Sequence, residues 1–125
     1  MSQITGVLVD VNAGTVSEAT IENSLSGFYR ALNCSTIDIV ERKVGGVPYD
    51  FICDDEALLK PPAKVSAIAK DRSPMLAGNL FLCKSTPDGE STSLSPEDIT
   101  HIKENILGCI SGLEFYGVIS NVEYI

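Results

Sequence analysis

The stretch from Ile37 to Asp54 constrains this chain most. Two apolar-rich runs flank Gly45-Gly46, and a two-residue glycine turn admits the positive φ angles that primed hairpin turns need. With those glycines as the loop, residues whose numbers sum to 91 face each other. Val44 then meets Val47, Arg42 meets Tyr49, Val40 meets Phe51 and Ile39 meets Ile52, large apolar partners across the strands. Glu41 falls opposite Asp50, a like-charge pair that a bulge would relieve. Near the base both faces are apolar, with Val40 and Phe51 on one and Ile39 and Ile52 on the other. Such strands are usually covered on both sides. The chain's own helices are expected to supply one cover, and a second sheet layer or a partner subunit the other.

A length of 125 residues suits one domain, 1–125, with a real core. Hydrophobic residues at 44% against 21% charged residues make the chain globular rather than disordered. Seventeen acidic residues against nine basic leave a net charge of −8. That balance argues against direct nucleic-acid binding, which needs a basic footprint. No apolar run reaches the roughly 18 residues of a membrane helix, so no membrane partner is expected. Met-Ser-Gln-Ile-Thr lacks the basic region of a secretory signal, which makes a cytoplasmic location the expectation. Cys34, Cys53, Cys83 and Cys109 form no Cys-x-x-Cys pair and read as reduced thiols acting as small hydrophobes.

Either side of the hairpin the chain reads as α+β. Ile4 to Val11 has strand composition, Asn12-Ala13-Gly14 marks a turn, and Val16 to Ile21 returns as a short strand. Asn23 is the expected N-cap of a helix over about 23–33, with Leu25, Phe28, Tyr29 and Leu32 on one face and Asn33 at its end. Pro61-Pro62 stops a helical turn over Asp55 to Lys60, and Lys64 to Gly78 is the least regular part of the chain. Asn79 to Lys84 is a short strand apolar on both faces, and Ser85 to Leu94 reads as an exposed loop. Ser95, Pro96 and Asp98 then announce a second helix over about 96–110, with Ile99, Ile102, Ile106, Leu107 and Ile110 as its stripe. Part of Leu113 to Ile125 reads as a final strand. The expected fold is a small mixed or antiparallel sheet built around a central hairpin, with two main helices.

Catalytic signatures are sparse. His101, the single histidine, falls on the polar side of the second helix and reads as an exposed helical residue rather than a general base. No Gly-x-Ser-x-Gly, Walker loop or partnered nucleophilic cysteine is present, and no catalytic residue or cofactor is assigned. Asp54, Asp55 and Glu56 cluster after the second hairpin strand and suit a divalent cation, although such a run more often caps a helical turn or is simply solvated. Positive charge is less evenly spread. Lys60, Lys64, Lys70 and Arg72 gather four of the nine basic residues into one short segment with Pro61, Pro62, Ser66 and Ser73. As a group they are the candidate ligand-binding residues for a phosphate or nucleotide. The alternative is a loop charged for solubility.

In order, Ile21-Glu22-Asn23-Ser24-Leu25, Ile37-Asp38-Ile39-Val40, Phe51-Ile52-Cys53-Asp54-Asp55-Glu56 and Leu76-Ala77-Gly78-Asn79-Leu80-Phe81-Leu82 resemble a family of short phage and mobile-element proteins known as a numbered domain of unknown function. The resemblance runs from Ile4 to Ile106; where such families show a glycine after the acidic pair, this chain has Glu56-Ala57. It implies a phage or mobile-element accessory protein and carries over no catalytic residue. The expected function is non-enzymatic binding of a small anionic ligand or a host protein, as a homodimer. The alternatives are a small metal-dependent enzyme processing nucleotides or phosphates through the Asp54–Glu56 cluster, and an acidic inhibitor of a host nucleic-acid-binding protein.

Overall fold

A computed structural model of the chain describes the backbone of residues 2–59, 64–111 and 114–125, and their side chains except at 108–111 and 114–116. The hairpin consists of β3 (Ile37–Val44) and β4 (Val47–Asp54). Gly45 at φ +54° and Gly46 at φ +85° make the turn, a conformation that costs side-chain-bearing residues steric strain. The strands pair from Val44 opposite Val47 to Ile37 opposite Asp54 with no shift of register. Glu41 therefore stays opposite Asp50 without a bulge, and the exposure of Glu41 lets water screen the repulsion.

Around the hairpin lie β1 (Gln3–Asp10), β2 (Thr15–Glu22), β5 (Val65–Ile68), β6 (Pro74–Ala77), β7 (Leu80–Ser85), β8 (Ser91–Thr92), β9 (Ile106–Ser111), β10 (Glu114–Ile119) and β11 (Val122–Tyr124). The sheet runs in the order β11-β3-β4-β7-β1-β2-β10-β5-β6, with β8 on β7 and β9 on β10. All pairings are antiparallel except β10 with β5, so the sheet is mixed. It is also larger than the small sheet expected, and the hairpin lies toward one end of it rather than at the centre.

Alternation along the strands splits the core in two. Val7 and Val9 of β1, Tyr49, Phe51 and Cys53 of β4, and Leu80 and Leu82 of β7 face one side. Ile4, Ile52, Phe81 and Cys83 face the other. Each side is covered by one of the chain's own helices. α2 (Pro96–Lys103) lays Ile99 and Ile102 on the first, and α1 (Leu25–Leu32) lays Phe28 and Leu32 on the second. Phe28 meets Phe81 at 6.1 Å between ring centroids, a tilted aromatic contact. Most of the hairpin's apolar side chains are thus covered without a partner subunit, and Ile39, at 51% exposure, and Pro48 are left out.

The helices differ from expectation at their ends. Ser24, not Asn23, caps α1: its hydroxyl accepts the Gly27 N–H at 3.0 Å. Asn23 is committed elsewhere, its backbone N–H to Ser2 and its side chain to Ser91. Asn33 ends α1 in the left-handed conformation, as expected of an asparagine there. Ser95 and Asp98 form the expected capping box of α2. That helix stops at Lys103 rather than near 110. Ile106 to Ser111 pair instead with Glu114 to Ile119, and a strand partner outweighs the helical spacing of Ile106, Leu107 and Ile110, of which the isoleucines are β-branched. Asn105 makes the break, donating from its side chain to the His101 carbonyl while its own carbonyl accepts the Ser120 N–H and hydroxyl. The irregular segment before Gly78 contains the β5–β6 hairpin, and the expected final strand is two strands, β10 and β11, hinged at Asn121. The loop expected over Ser85 to Leu94 carries the short β8 and buries Leu94. Among the described residues no helix is long and apolar enough to cross a membrane.

Candidate functional site

The open end of the β3–β4 hairpin sets Asp38 opposite Cys53 and Ile37 opposite Asp54. The chain then turns sharply. The Asp54 carboxylate accepts the Glu56 N–H at 2.9 Å, the two-residue reach typical of aspartate in turns. A short 3-10 turn, Ala57–Leu59, follows. Thr36 fastens this turn to the start of β3: its carbonyl accepts the Asp55 N–H, and its hydroxyl donates to the Glu56 carboxylate at 3.0 Å. Gly78, just past β6, lies against the turn. A Cβ there would sit 2.6 Å from the Ala57 Cβ, and its φ of +81° already disfavours any other residue.

Between the hairpin end and β6 a cleft of about 410 Å³ remains. Asp38, Asp54 and Asp55 supply its charge. Val40, Leu58, Val65 and the whole of β6, Pro74 to Ala77, supply its apolar wall. No lysine or arginine lines it among the described residues. Leu58, at the rim of the cleft, is 79% exposed. Cys53 is the cleft's nucleophilic atom, but burial, and next the nearby Asp38 charge, push its thiol up to about 11. It is a neutral thiol at neutral pH, within 3.4 Å of the Asp38 carbonyl, and so a poor nucleophile.

The acidic cluster read from the sequence is divided by this geometry. Asp54 and Asp55 line the cleft, while Glu56 is held by Thr36. Among the described residues no three His, Cys, Asp or Glu side chains are grouped to hold a metal ion. Asp38 and the β6 residues complete the site. The rule that aligned the hairpin also pairs Asp38 with Cys53, which was the available signal for Asp38; nothing in the local sequence brings β6 to the same place.

Of the basic residues, Lys60, together with Pro61-Pro62, lies outside the described residues. Lys64 precedes β5, exposed, its carbonyl accepting the Gly78 N–H at 2.9 Å. Lys70 and Arg72 occupy the turn at the far end of β5, which is closed by Ala69 N–H to Ser73 and Arg72 N–H to Ala69. The four residues of β5 hold these two groups about 13 Å apart or more. Asp71 stands between Lys70 and Arg72, its carboxyl held below the usual range by hydrogen bonds from Ser73.

His101 is half-buried rather than exposed. Its Nε2 lies 2.7 Å from the Val44 carbonyl, which accepts only, so the Nε2–H donates to the hairpin tip. A second polar knot ties α2 to the sheet. The buried Tyr49 hydroxyl donates to the Asp98 carboxylate at 3.3 Å, and Lys84 reaches the same oxygen at 3.0 Å. Burial, followed by the Asp98 charge, pushes the Tyr49 hydroxyl well above its usual range. Burial works to raise the Asp98 carboxyl too, but hydrogen bonds from Lys84 and Ser95 outweigh it and hold it low. With its carboxylate shared among Tyr49, Lys84 and the capping box, this knot is built to hold rather than to react.

The family model described as Domain of unknown function (DUF3846) matches residues 4–107. No curated protein and no solved structure matches the chain.

Proposed function

The chain belongs to the family described as a domain of unknown function, DUF3846, and we propose that it is a non-enzymatic binding module whose cleft receives a cationic, partly apolar group of a host protein. One observation carries the reading: Asp38 and Asp55 share the cleft with an apolar wall. An aliphatic stem ending in a positive charge satisfies both halves of such a site. The protonated Cys53 thiol supports binding over chemistry. Agmatine, a guanidinium on an aliphatic stem, is the probe that tests it. Its titration is expected to shift the amide resonances of Asp38, Asp55, Val65 and Leu76, and the double variant Asp38→Asn/Asp55→Asn is expected to abolish the shifts. Shifts scattered away from the cleft would sink the reading.

A smaller anion-binding role is proposed for the β5–β6 turn, where Lys70 and Arg72 share one hydrogen-bonded loop. Inorganic phosphate should bind there more weakly in the Lys70→Ala/Arg72→Ala variant and at higher salt; equal binding by parent and variant would end it. The phage or mobile-element setting implied by the resemblance, and a cytoplasmic location, belong to the same proposal, and neighbouring genes test the first of these.

A further inference from the structure

We propose that the occupant of the cleft is an extended segment of a partner protein, alternating apolar and basic residues, which adds to the sheet as a further strand along β6. This rests on the binding reading above and specifies how the partner is held. Successive residues of a strand point to opposite faces. Pro74, Met75, Leu76 and Ala77 nevertheless all line the cleft, so the cleft runs along the edge of β6 rather than over one face. β6 ends the sheet order, and among the described residues it pairs with β5 alone. Its outer edge therefore offers backbone N–H and C=O groups to an incoming strand. β6 carries no charged residue to deter such pairing, and its one proline, Pro74, stands at its start. Charge then selects the sequence of the guest. The carboxylates of Asp38 and Asp55 favour lysine or arginine on one side of the added strand. Val40 and Leu58, both lining the cleft, take its apolar side chains.

The test uses the full chain and a short, capped peptide of alternating valine and lysine. Binding is expected to slow amide hydrogen exchange at β6 and to shift Asp38 and Asp55. Replacing lysine by glutamate in the peptide should remove binding. The Asp38→Asn/Asp55→Asn variant should weaken it about threefold to tenfold, as suits two partly exposed charge pairs. A peptide N-methylated on alternate residues cannot pair along one edge and should fail against the unaltered protein, whatever a variant does to folding. Equal binding of the methylated peptide, or of the glutamate peptide, overturns the strand-addition mode. If agmatine still marks the cleft in that case, the binding reading survives while this inference falls; if neither probe does, both fall. β6 protection that rises with protein concentration alone would make a second copy of this chain the occupant and would also overturn the proposal.

Discussion

At the scale of single residues, Asp98 does the most varied work. Its side chain is 14% exposed, and it closes the capping box while accepting from Tyr49 and Lys84. Asp98→Asn should therefore cost about 1.5–3 kcal/mol in urea unfolding, the usual range for hydrogen bonds to a charged group. Because the folded carboxyl is held low, its contribution is complete above the ordinary value of 3.8 and is lost as pH falls through the folded value. Acid unfolding of Asp98→Asn should accordingly show a shallower pH dependence than the parent. The thiols act at the other end of the scale. Burial raises Cys53 from 9.0 to about 11 and Cys83, with the Asp50 charge second, to about 12. The unfolded chain gives up these protons first, so the thiols' contribution to stability is complete below pH 9 and declines progressively up to about pH 12. Unfolding at stepped alkaline pH checks the slope, which Cys83→Ala should reduce. A thiol reagent under native conditions should reach half-buried Cys34 before the buried Cys53 or Cys83. Gly78→Ala should cost about 1–3 kcal/mol through overpacking against Ala57, and should move the turn that carries Leu58.

At the scale of elements, Asn105 decides where helix becomes strand. Its amide joins His101 on one side, while its side-chain oxygen accepts from Asn121 at 2.7 Å on the other. Asn105→Ala should lose about 1 kcal/mol, because it removes two part-buried hydrogen bonds, and should loosen β9 before the β3–β4 hairpin in hydrogen exchange. This same junction shows what the sequence could and could not reveal. The hairpin was legible because its register is set by two adjacent glycines, a local cause. Ser95, Pro96 and Asp98 were legible for the same reason. The end of α2 was not, since Ile106 and Leu107 satisfy the helical period and only pairing with β10 draws them into the sheet. The cap of α1 was misplaced by one residue because the partners that occupy Asn23, Ser2 and Ser91, come from elsewhere in the chain. Half of the candidate site was readable from Asp54 and Asp55. The other half is β6, brought there by sheet topology alone.

At the scale of the whole molecule, the apolar surface that suggested a homodimer is reduced, since both faces of the hairpin are largely covered from within. Ile39 at 51%, Leu25 at 61% and Tyr124 at 67% exposure remain as the basis for proposing self-association. Sedimentation at high micromolar concentration checks it, and a monomer throughout would end it. The order of the strands has another consequence. β3 receives its outer neighbour, β11, only when Val122 comes opposite Val44, 78 residues after it. On a ribosome adding about 5–20 residues per second, that edge waits roughly 4–16 s in the crowded vicinity of other nascent chains. Lys43, which Glu123 finally faces, places a charge on the waiting edge. Lys43→Val should then depress the soluble yield of cell-free synthesis far more than it lowers the stability of the finished protein.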